Sequence, residues 1–188
     1  SLLEPIGVAL HSMNLMNIKF NDTATIFGAG PIGLCLYLTL KKAGLSKIFL
    51  VDPLEYRCKF ASELGAYGIT YDSDYANFIK EMTGGKGTTL VFDGAGTDES
   101  IDGCLKVAST NSKMGIIGIP EVDYLRYNPH KMRTKEMKLY NVRRSNRTLQ
   151  NCVDMYTDDV TIDKIVSHRF KLENIQESFE MVSNYNDN

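Results

Sequence analysis

Short apolar runs alternate with amphipathic segments along most of the chain. Runs rich in Val, Ile, Phe and Thr predict six strands, at 24–27, 47–51, 67–70, 88–93, 113–118 and 138–142. Apolar residues spaced three and four positions apart predict helices between most of them, at 31–43, 55–64, 73–82 and 99–107. Because helices separate the strands, the pattern predicts an α/β fold of the Rossmann type, with a doubly wound, mostly parallel six-stranded sheet and helices on both faces.

Helical patterns also lie outside this alternation. Residues 3–16 carry an apolar face from Ile6 to Met13, and residues 147–156 and 175–182 follow helical spacing as well. The helix predicted at 31–43 is apolar nearly all round, which indicates burial between the sheet and a neighbouring layer.

Composition narrows the class of protein. The 188 residues are 43% hydrophobic and carry a net charge of -2, which suits one compact domain and gives no reason to expect a nucleic-acid partner. No apolar run approaches the roughly 20 residues that cross a bilayer, so no membrane partner is expected. The sequence shows no secretory signal, and its four cysteines form no CxxC pair. We therefore expect reduced thiols and a cytoplasmic location.

The most specific motif is Gly-Ala-Gly-Pro-Ile-Gly at 28–33. It directly follows the first predicted strand and directly precedes a predicted helix, and an acidic residue, Asp52, ends the next strand. This is the context of a dinucleotide-binding fingerprint, so the chain is expected to bind a nicotinamide or flavin cofactor.

The residue types of the motif match that chemistry. Gly28 permits a tight turn, Gly30 allows close approach of a pyrophosphate, and Gly33 allows the helix to pack onto the sheet. Pro31 suits the first helical position, and the free N–H groups of that turn attract the pyrophosphate. The predicted contacts of this turn are Gly28, Gly30, Pro31, Ile32 and Gly33.

Asp52 predicts which nicotinamide cofactor binds. Its carboxylate would accept hydrogen bonds from the adenosine ribose hydroxyls and would repel the 2′-phosphate of NADP, so NAD is expected.

Two strand-end loops supply a second set of candidate contacts. Asp93 and the residues 94–96 end the fourth strand, and residues 118–120 end the fifth. Small residues there would let main-chain groups reach a nicotinamide ribose and carboxamide, although such glycines are also common in plain turns. The expected site lies between the first and fourth strands, where the two halves of the sheet meet.

Taken together, these features resemble the cofactor domain of the medium-chain, zinc-dependent alcohol and polyol dehydrogenases, the family that includes sorbitol dehydrogenase. The likeness covers essentially the whole chain. The shared landmarks are residues 3–5, 28–33, 51–52, 57, 63–66, 83–87 and 167–170.

The resemblance assigns roles to further residues. It implies that Glu4 lies beside or coordinates the catalytic zinc, and that Arg57 lines the adenosine pocket. It implies that Arg143 contacts the cofactor and that Arg144 faces the substrate. It places five residues at the nicotinamide half of the cofactor, namely Gly94, Ala95, Ile117, Gly118 and Ile119.

Simpler interpretations of three residues stay open. Glu4 could be a helix-start carboxylate, Arg57 a solvated helix residue, and Arg144 one more charge in a basic stretch. Arg143 and Ser145 stand where the sorbitol enzyme has aromatic residues, which puts polyol specificity in question.

The resemblance implies an NAD-dependent, zinc-assisted dehydrogenase that acts on a secondary alcohol, either a polyol or a sugar derivative, and the corresponding ketone. A homodimer or homotetramer is implied, with the sixth strand pairing across a two-fold axis. The cysteine and Gly-His-Glu run of the family's zinc lobe do not occur here. We therefore expect residues 1–188 to be one excised dinucleotide-binding domain, with 1–20 and roughly 147–188 joining or flanking that lobe.

Two other functions are compatible with the motifs. One is a zinc-free quinone or enoyl reductase of the same superfamily, although such relatives usually bind NADP. The other is a non-catalytic NAD-sensing module.

Overall fold

A computed structural model describes residues 2–71, 74–157, 159 and 161–183. Its six strands form one sheet in the order β3-β2-β1-β4-β5-β6, and every neighbouring pair is parallel. The predicted doubly wound sheet is therefore confirmed. The strands are β1 (Ala24–Phe27), β2 (Ile48–Asp52), β3 (Tyr67–Thr70), β4 (Thr88–Asp93), β5 (Ala108–Ile116) and β6 (Lys138–Asn141).

Eight α-helices accompany these strands within the described residues. They are α1 (Leu3–Met16), α2 (Pro31–Lys42), α3 (Glu55–Glu63), α4 (Tyr75–Met82), α5 (Asp98–Val107), α6 (Pro129–Thr134), α7 (Leu149–Tyr156) and α8 (Ile175–Ser183). Residue 73, where the helix at 73–82 was expected to begin, lies outside the described residues. Among the residues described, no helix combines the length and the apolar character that crossing a bilayer requires.

Helix α6 is one element that the sequence pattern missed. The Asn128 side chain accepts hydrogen bonds from the N–H groups of His130 and Lys131, and Pro129 occupies the first helical position. Capping therefore starts this helix, and its 6 residues are too few to show a hydrophobic period.

The sheet separates two layers of the core. Ile26 and Leu50 face a cluster formed with α1, α2 and α7, whereas Phe27 and Val51 face a second cluster formed with α4 and α5. Adjacent strand residues point to opposite faces, so both faces must be apolar, and every residue of β1 and β2 is buried. The near-complete burial of α2 is also confirmed, because all its residues from Gly33 to Leu40 are buried.

Strand β5 differs from its predicted bounds of 113–118. It begins at Ala108 and passes an irregularity at Asn111, which has φ +58°. It ends at Ile116 because the N–H groups of Ile117 and Gly118 both donate to the Asp93 carbonyl, at 2.9 and 3.0 Å. These two bonds turn the chain out of the sheet and into the loop that follows.

Lysine side chains cap the C-termini of five helices. The last carbonyls of a helix lack intrahelical donors and attract cations. The pairs are Lys113 with Met16 of α1, Lys41 with Leu64 after α3, Lys47 with Met82 of α4, Lys135 with Leu105 of α5, and Lys42 with Met155 of α7. Lys41 and Lys42 both belong to α2, and in every pair the lysine lies outside the helix that it caps, so these contacts tie helices to their neighbours.

We predict that Lys113→Met lowers the free energy of unfolding by about 1 kcal/mol. The variant keeps an unbranched stem but removes the ammonium, whose Nζ lies 2.5 Å from the Met16 carbonyl and 2.8 Å from the Asn17 carbonyl. Urea denaturation measures the change. Lys59→Met, at an exposed position of α3, is the matched control and should change the free energy by less than about 0.5 kcal/mol. Equal losses in the two variants would show that the cap contributes nothing.

Candidate cofactor-binding cleft

A cleft of about 1060 Å³ lies at the carboxyl ends of the strands. Strand β1 pairs with β2 on one side and with β4 on the other. The order in which strands join the sheet therefore reverses at β1, and the connections that leave in opposite directions open a crevice there. The volume is slightly above the range of about 300–1,000 Å³ that is typical of ligand pockets. The predicted residues that line it are Glu4, Ile32, Gly94, Ala95, Ile117, Gly118, Ile119, Arg143 and Arg144.

The fingerprint forms a strand–turn–helix junction. Strand β1 ends at Phe27 and α2 begins at Pro31. Gly28 has φ +104°, a conformation that residues with a side chain rarely adopt. A Cβ on Gly33 would overlap the Gly28 carbonyl oxygen, so α2 rests directly on the turn. The geometric roles predicted for these two glycines are confirmed.

The first turn of α2 leaves backbone donors unpaired within the helix. The first hydrogen bond of this ladder runs from Leu34 N–H to the Gly30 carbonyl at 2.9 Å, so the preceding N–H groups, at Ile32 and Gly33, have no intrahelical acceptor. A Cβ on Gly30 would meet only the Arg57 guanidinium, at 3.8 Å. The turn is therefore open on this side, and unpaired donors with the helix dipole favour an anion.

Asp52 is held against this same turn. One carboxylate oxygen accepts the Ala29 N–H at 2.7 Å, and the other accepts the Leu54 N–H at 2.9 Å. The Arg57 guanidinium lies 3.7 Å from the first oxygen, and Asp52 is only 2% exposed. Each carboxylate oxygen has two lone pairs, so each can still accept one further hydrogen bond.

The loop after β4 is organised by Asp93. One oxygen of this carboxylate accepts the N–H groups of Ala95 and Gly96 and the Ser100 hydroxyl, at 3.0, 2.8 and 2.7 Å. Thr97 and Ser100 form a reciprocal capping box that starts α5. The loop after β5 packs directly on this one, because a Cβ on Gly118 would overlap the Gly96 nitrogen.

Arg143 and Arg144 follow β6 and reach the cleft beside α1. The next residues cross α1 at Gly7, where the Thr148 hydroxyl donates to the Gly7 carbonyl at 3.2 Å. This crossing brings the two arginines to the helix that carries Glu4 in its first turn. Arg144 has φ +54°, and among the described residues neither guanidinium forms an ion pair.

The described residues do not fit a zinc ion. Glu4 is exposed in the cleft, but within the described ranges no three His, Cys, Asp or Glu side chains come together to hold a metal. A catalytic zinc site needs three protein ligands. Burial raises the pKa of the Cys35 thiol to about 12, with Glu4 as the second cause, so this cysteine stays protonated rather than acting as a thiolate ligand.

Sequence reasoning missed the acidic part of the cleft. Asp98, Glu99 and Glu121 line it together with the predicted residues. The first two lie in the first turn of α5, after the N-cap Thr97. The helix start itself was predicted within one residue, and its position directly after a strand-end loop is the signal that its first turn lies at the carboxyl ends of the strands.

Comparisons with known proteins agree with this geometry. A family model described as zinc-binding dehydrogenase matches residues 31–158. L-arabinitol 4-dehydrogenase of Aureobasidium melanogenum is 29% identical, and sorbitol dehydrogenase 1 of Saccharomyces cerevisiae is 26% identical. The match covers 96% of this chain and 51% of the first relative, and 95% of this chain and 52% of the second.

Among solved structures, 2R,3R-butanediol dehydrogenase from Bacillus subtilis superposes with a TM-score of 0.88 at 26% identity. The superposition covers 97% of this chain and 53% of that protein. The chain thus spans about half the length of the relatives that it matches.

We predict that alanine destabilises the fold at one glycine of the turn and has little effect on stability at another. Gly33→Ala should lower the free energy of unfolding by about 1–3 kcal/mol, because the new methyl group collides with a backbone carbonyl. Gly30→Ala should change it by less than about 1 kcal/mol, because its extended backbone accepts any residue and the space is open. Urea denaturation without ligand measures both, and equal destabilisation would contradict the packing described here.

Proposed function

Because the chain belongs to the zinc-binding dehydrogenase family, we propose that it is the cofactor-binding half of an NAD-dependent oxidoreductase. The enzyme would transfer hydride between NAD and a secondary alcohol, either a polyol or a sugar derivative. The observation that carries this proposal is the strand–turn–helix junction at 28–33. Asp52 is hydrogen-bonded to it, at the point where the strand order of the sheet reverses.

The cleft and the fingerprint turn beside it would together hold the cofactor. The pyrophosphate would lie at the first turn of α2 and accept hydrogen bonds from the N–H groups of Gly30, Ile32 and Gly33. Pro31 would fix the backbone at the start of the helix, and Gly28 would leave room for the phosphates. Asp52 would accept hydrogen bonds from the hydroxyls of the adenosine ribose, beside Arg57.

The nicotinamide half would then lie along the loops that follow β4 and β5. Gly94 and Ala95 would contact it from one loop, and residues 117–119 from the other. Arg143 would contact the cofactor, and Arg144 would face the substrate. The chemistry that bound NAD supplies is acceptance of hydride, and these loops would hold its ring close to the reacting carbon and away from water.

The zinc chemistry of the family would need residues beyond those described here. We propose a metal-proximal role for Glu4 alone and assign no step to a metal on this chain. Residues 1–20 and roughly 147–188 are proposed to join the single domain to a zinc-binding lobe, and a cytoplasmic homodimer or homotetramer through β6 is proposed by analogy.

We predict that the chain binds NADH about tenfold or more tightly than NADPH, a difference of at least about 1.4 kcal/mol. The buried Asp52 carboxylate would repel a 2′-phosphate, and isothermal titration with each nucleotide measures the preference. Asp52→Ser should narrow the preference for NADH, because the carboxylate that repels the 2′-phosphate is then gone. Adding Arg57→Gln to Asp52→Ser should weaken NADPH again. Tighter binding of NADPH by the unmodified chain would overturn the choice of cofactor.

A further inference from the structure

Asp93 is a buried carboxylate that the proposed function leaves without a role. It ends β4 directly before Gly94 and Ala95, which line the cleft, and is 0% exposed. Its hydrogen bonds are unevenly distributed. One oxygen accepts three donors, whereas the other, also buried, has no hydrogen-bond partner within the described part of the chain.

The three donors belong to a single stretch of the cleft wall. The N–H groups of Ala95 and Gly96 fix the turn that leaves the strand, and the Ser100 hydroxyl fixes the first turn of α5. Ser100 also accepts the Thr97 N–H at 3.2 Å in the capping box. Every residue from 94 to 99 lines the cleft. One carboxylate oxygen therefore sets the position of a whole wall through three hydrogen bonds.

The opposite wall is joined to this one through backbone atoms, which any side chain at position 93 would leave in place. The Asp93 carbonyl accepts the N–H groups of Ile117 and Gly118, which begin the loop after β5. A Cβ on Gly96 would lie 2.9 Å from the Ile119 carbonyl carbon, so the two loops touch through backbone atoms. Further along, the Arg126 N–H donates to the Asp98 carboxylate at 2.6 Å. Neither loop can move by much without the other.

We propose that Asp93 is the positioning residue for the nicotinamide half of the cleft. Its side chain holds the loop after β4, and this loop packs through backbone atoms on the loop after β5. Asp93 therefore acts through the loops, whose main-chain groups it keeps where they can meet the nicotinamide nucleoside. This inference rests on the proposed function, since it assumes that a dinucleotide occupies the cleft.

The expected adenosine site lies beside this cleft, at Asp52, and has a separate support. There, Asp52 accepts the N–H groups of Ala29 and Leu54, and none of these contacts passes through Asp93. Loss of the Asp93 contacts should therefore weaken ligands that reach the nicotinamide end and spare those that end at the pyrophosphate. A merely structural role would weaken both classes equally.

The test compares NADH with ADP, which lacks the nicotinamide nucleoside, by isothermal titration. In Asp93→Ala, the dissociation constant for NADH should rise about tenfold or more, whereas that for ADP should change by less than about twofold. Asp93→Asn keeps an acceptor oxygen for the three donors and should bind NADH within about threefold of the unmodified chain.

A second pair of variants carries the test if Asp93→Ala does not fold. Ser100→Ala removes one of the three donors and should weaken NADH about threefold with ADP unchanged. Ser112→Ala is its matched control, because Ser112 in β5 is buried and its hydroxyl has no hydrogen-bond partner among the described residues. This control should leave both affinities as they are.

The outcomes separate the two hypotheses. If the unmodified chain binds neither NADH nor ADP, the proposed function itself fails. If it binds both, three results would each overturn the role of Asp93. The affinity of Asp93→Ala for NADH could be unchanged, or its affinities for NADH and ADP could fall equally. The third such result is an Asp93→Asn variant that binds NADH as weakly as Asp93→Ala does. Indistinguishable behaviour of Ser100→Ala and Ser112→Ala would overturn it as well.

Discussion

The whole site depends on the direct seating of helix α2 on the end of strand β1. Gly33 has no side chain, so the helix can approach the Gly28 carbonyl at a distance that a Cβ would forbid. This seating places the unpaired N–H groups of the first helical turn at the crevice of the sheet. A larger residue would lift the helix and move those donors away, so the packing of the core and the binding of an anion are one constraint.

Two aspartates shape the crevice on either side of β1. Asp52 ends β2 and Asp93 ends β4, the two neighbours of β1 in the sheet. Each carboxylate accepts the N–H of the residue two positions later, at Leu54 and at Ala95 respectively. This local bond turns the chain away from the strand. Each then reaches a second element, since Asp52 also holds the fingerprint turn and Asp93 also holds the start of α5.

Much of the fold could be predicted from the sequence because its signals are local. The strands at 24–27, 67–70 and 88–93 have the predicted bounds, and α2 and α5 begin at or within one residue of theirs. The glycine-rich turn was also readable, because the need for a tight turn and a close approach restricts residue types directly.

The missed features depend on contacts that a periodic pattern does not contain. Helix α6 is started by a cap, β5 is ended by a carbonyl of another strand, and the acidic lining of the cleft follows from how α5 and the loop after β5 are placed. The lysine caps are a similar case: Lys113 and Met16 are 97 positions apart, so their contact exists only once the sheet has formed. The roles of Glu4, Arg57, Arg143 and Arg144 remain predictions, since they require a ligand to be assigned.

Everything proposed for this chain requires the backbone N–H groups in the first turn of α2 to bind the diphosphate of the cofactor. The most direct measurement is an NMR titration of the 15N-labelled chain with NADH, following the backbone amides of Gly30, Ile32 and Gly33. The account predicts that these three resonances shift together and saturate at one dissociation constant, along with the amides of Ala29 and Leu54 that touch Asp52. Saturable NADH binding that leaves the amide resonances of Ala29, Gly30, Ile32 and Gly33 unmoved would contradict it.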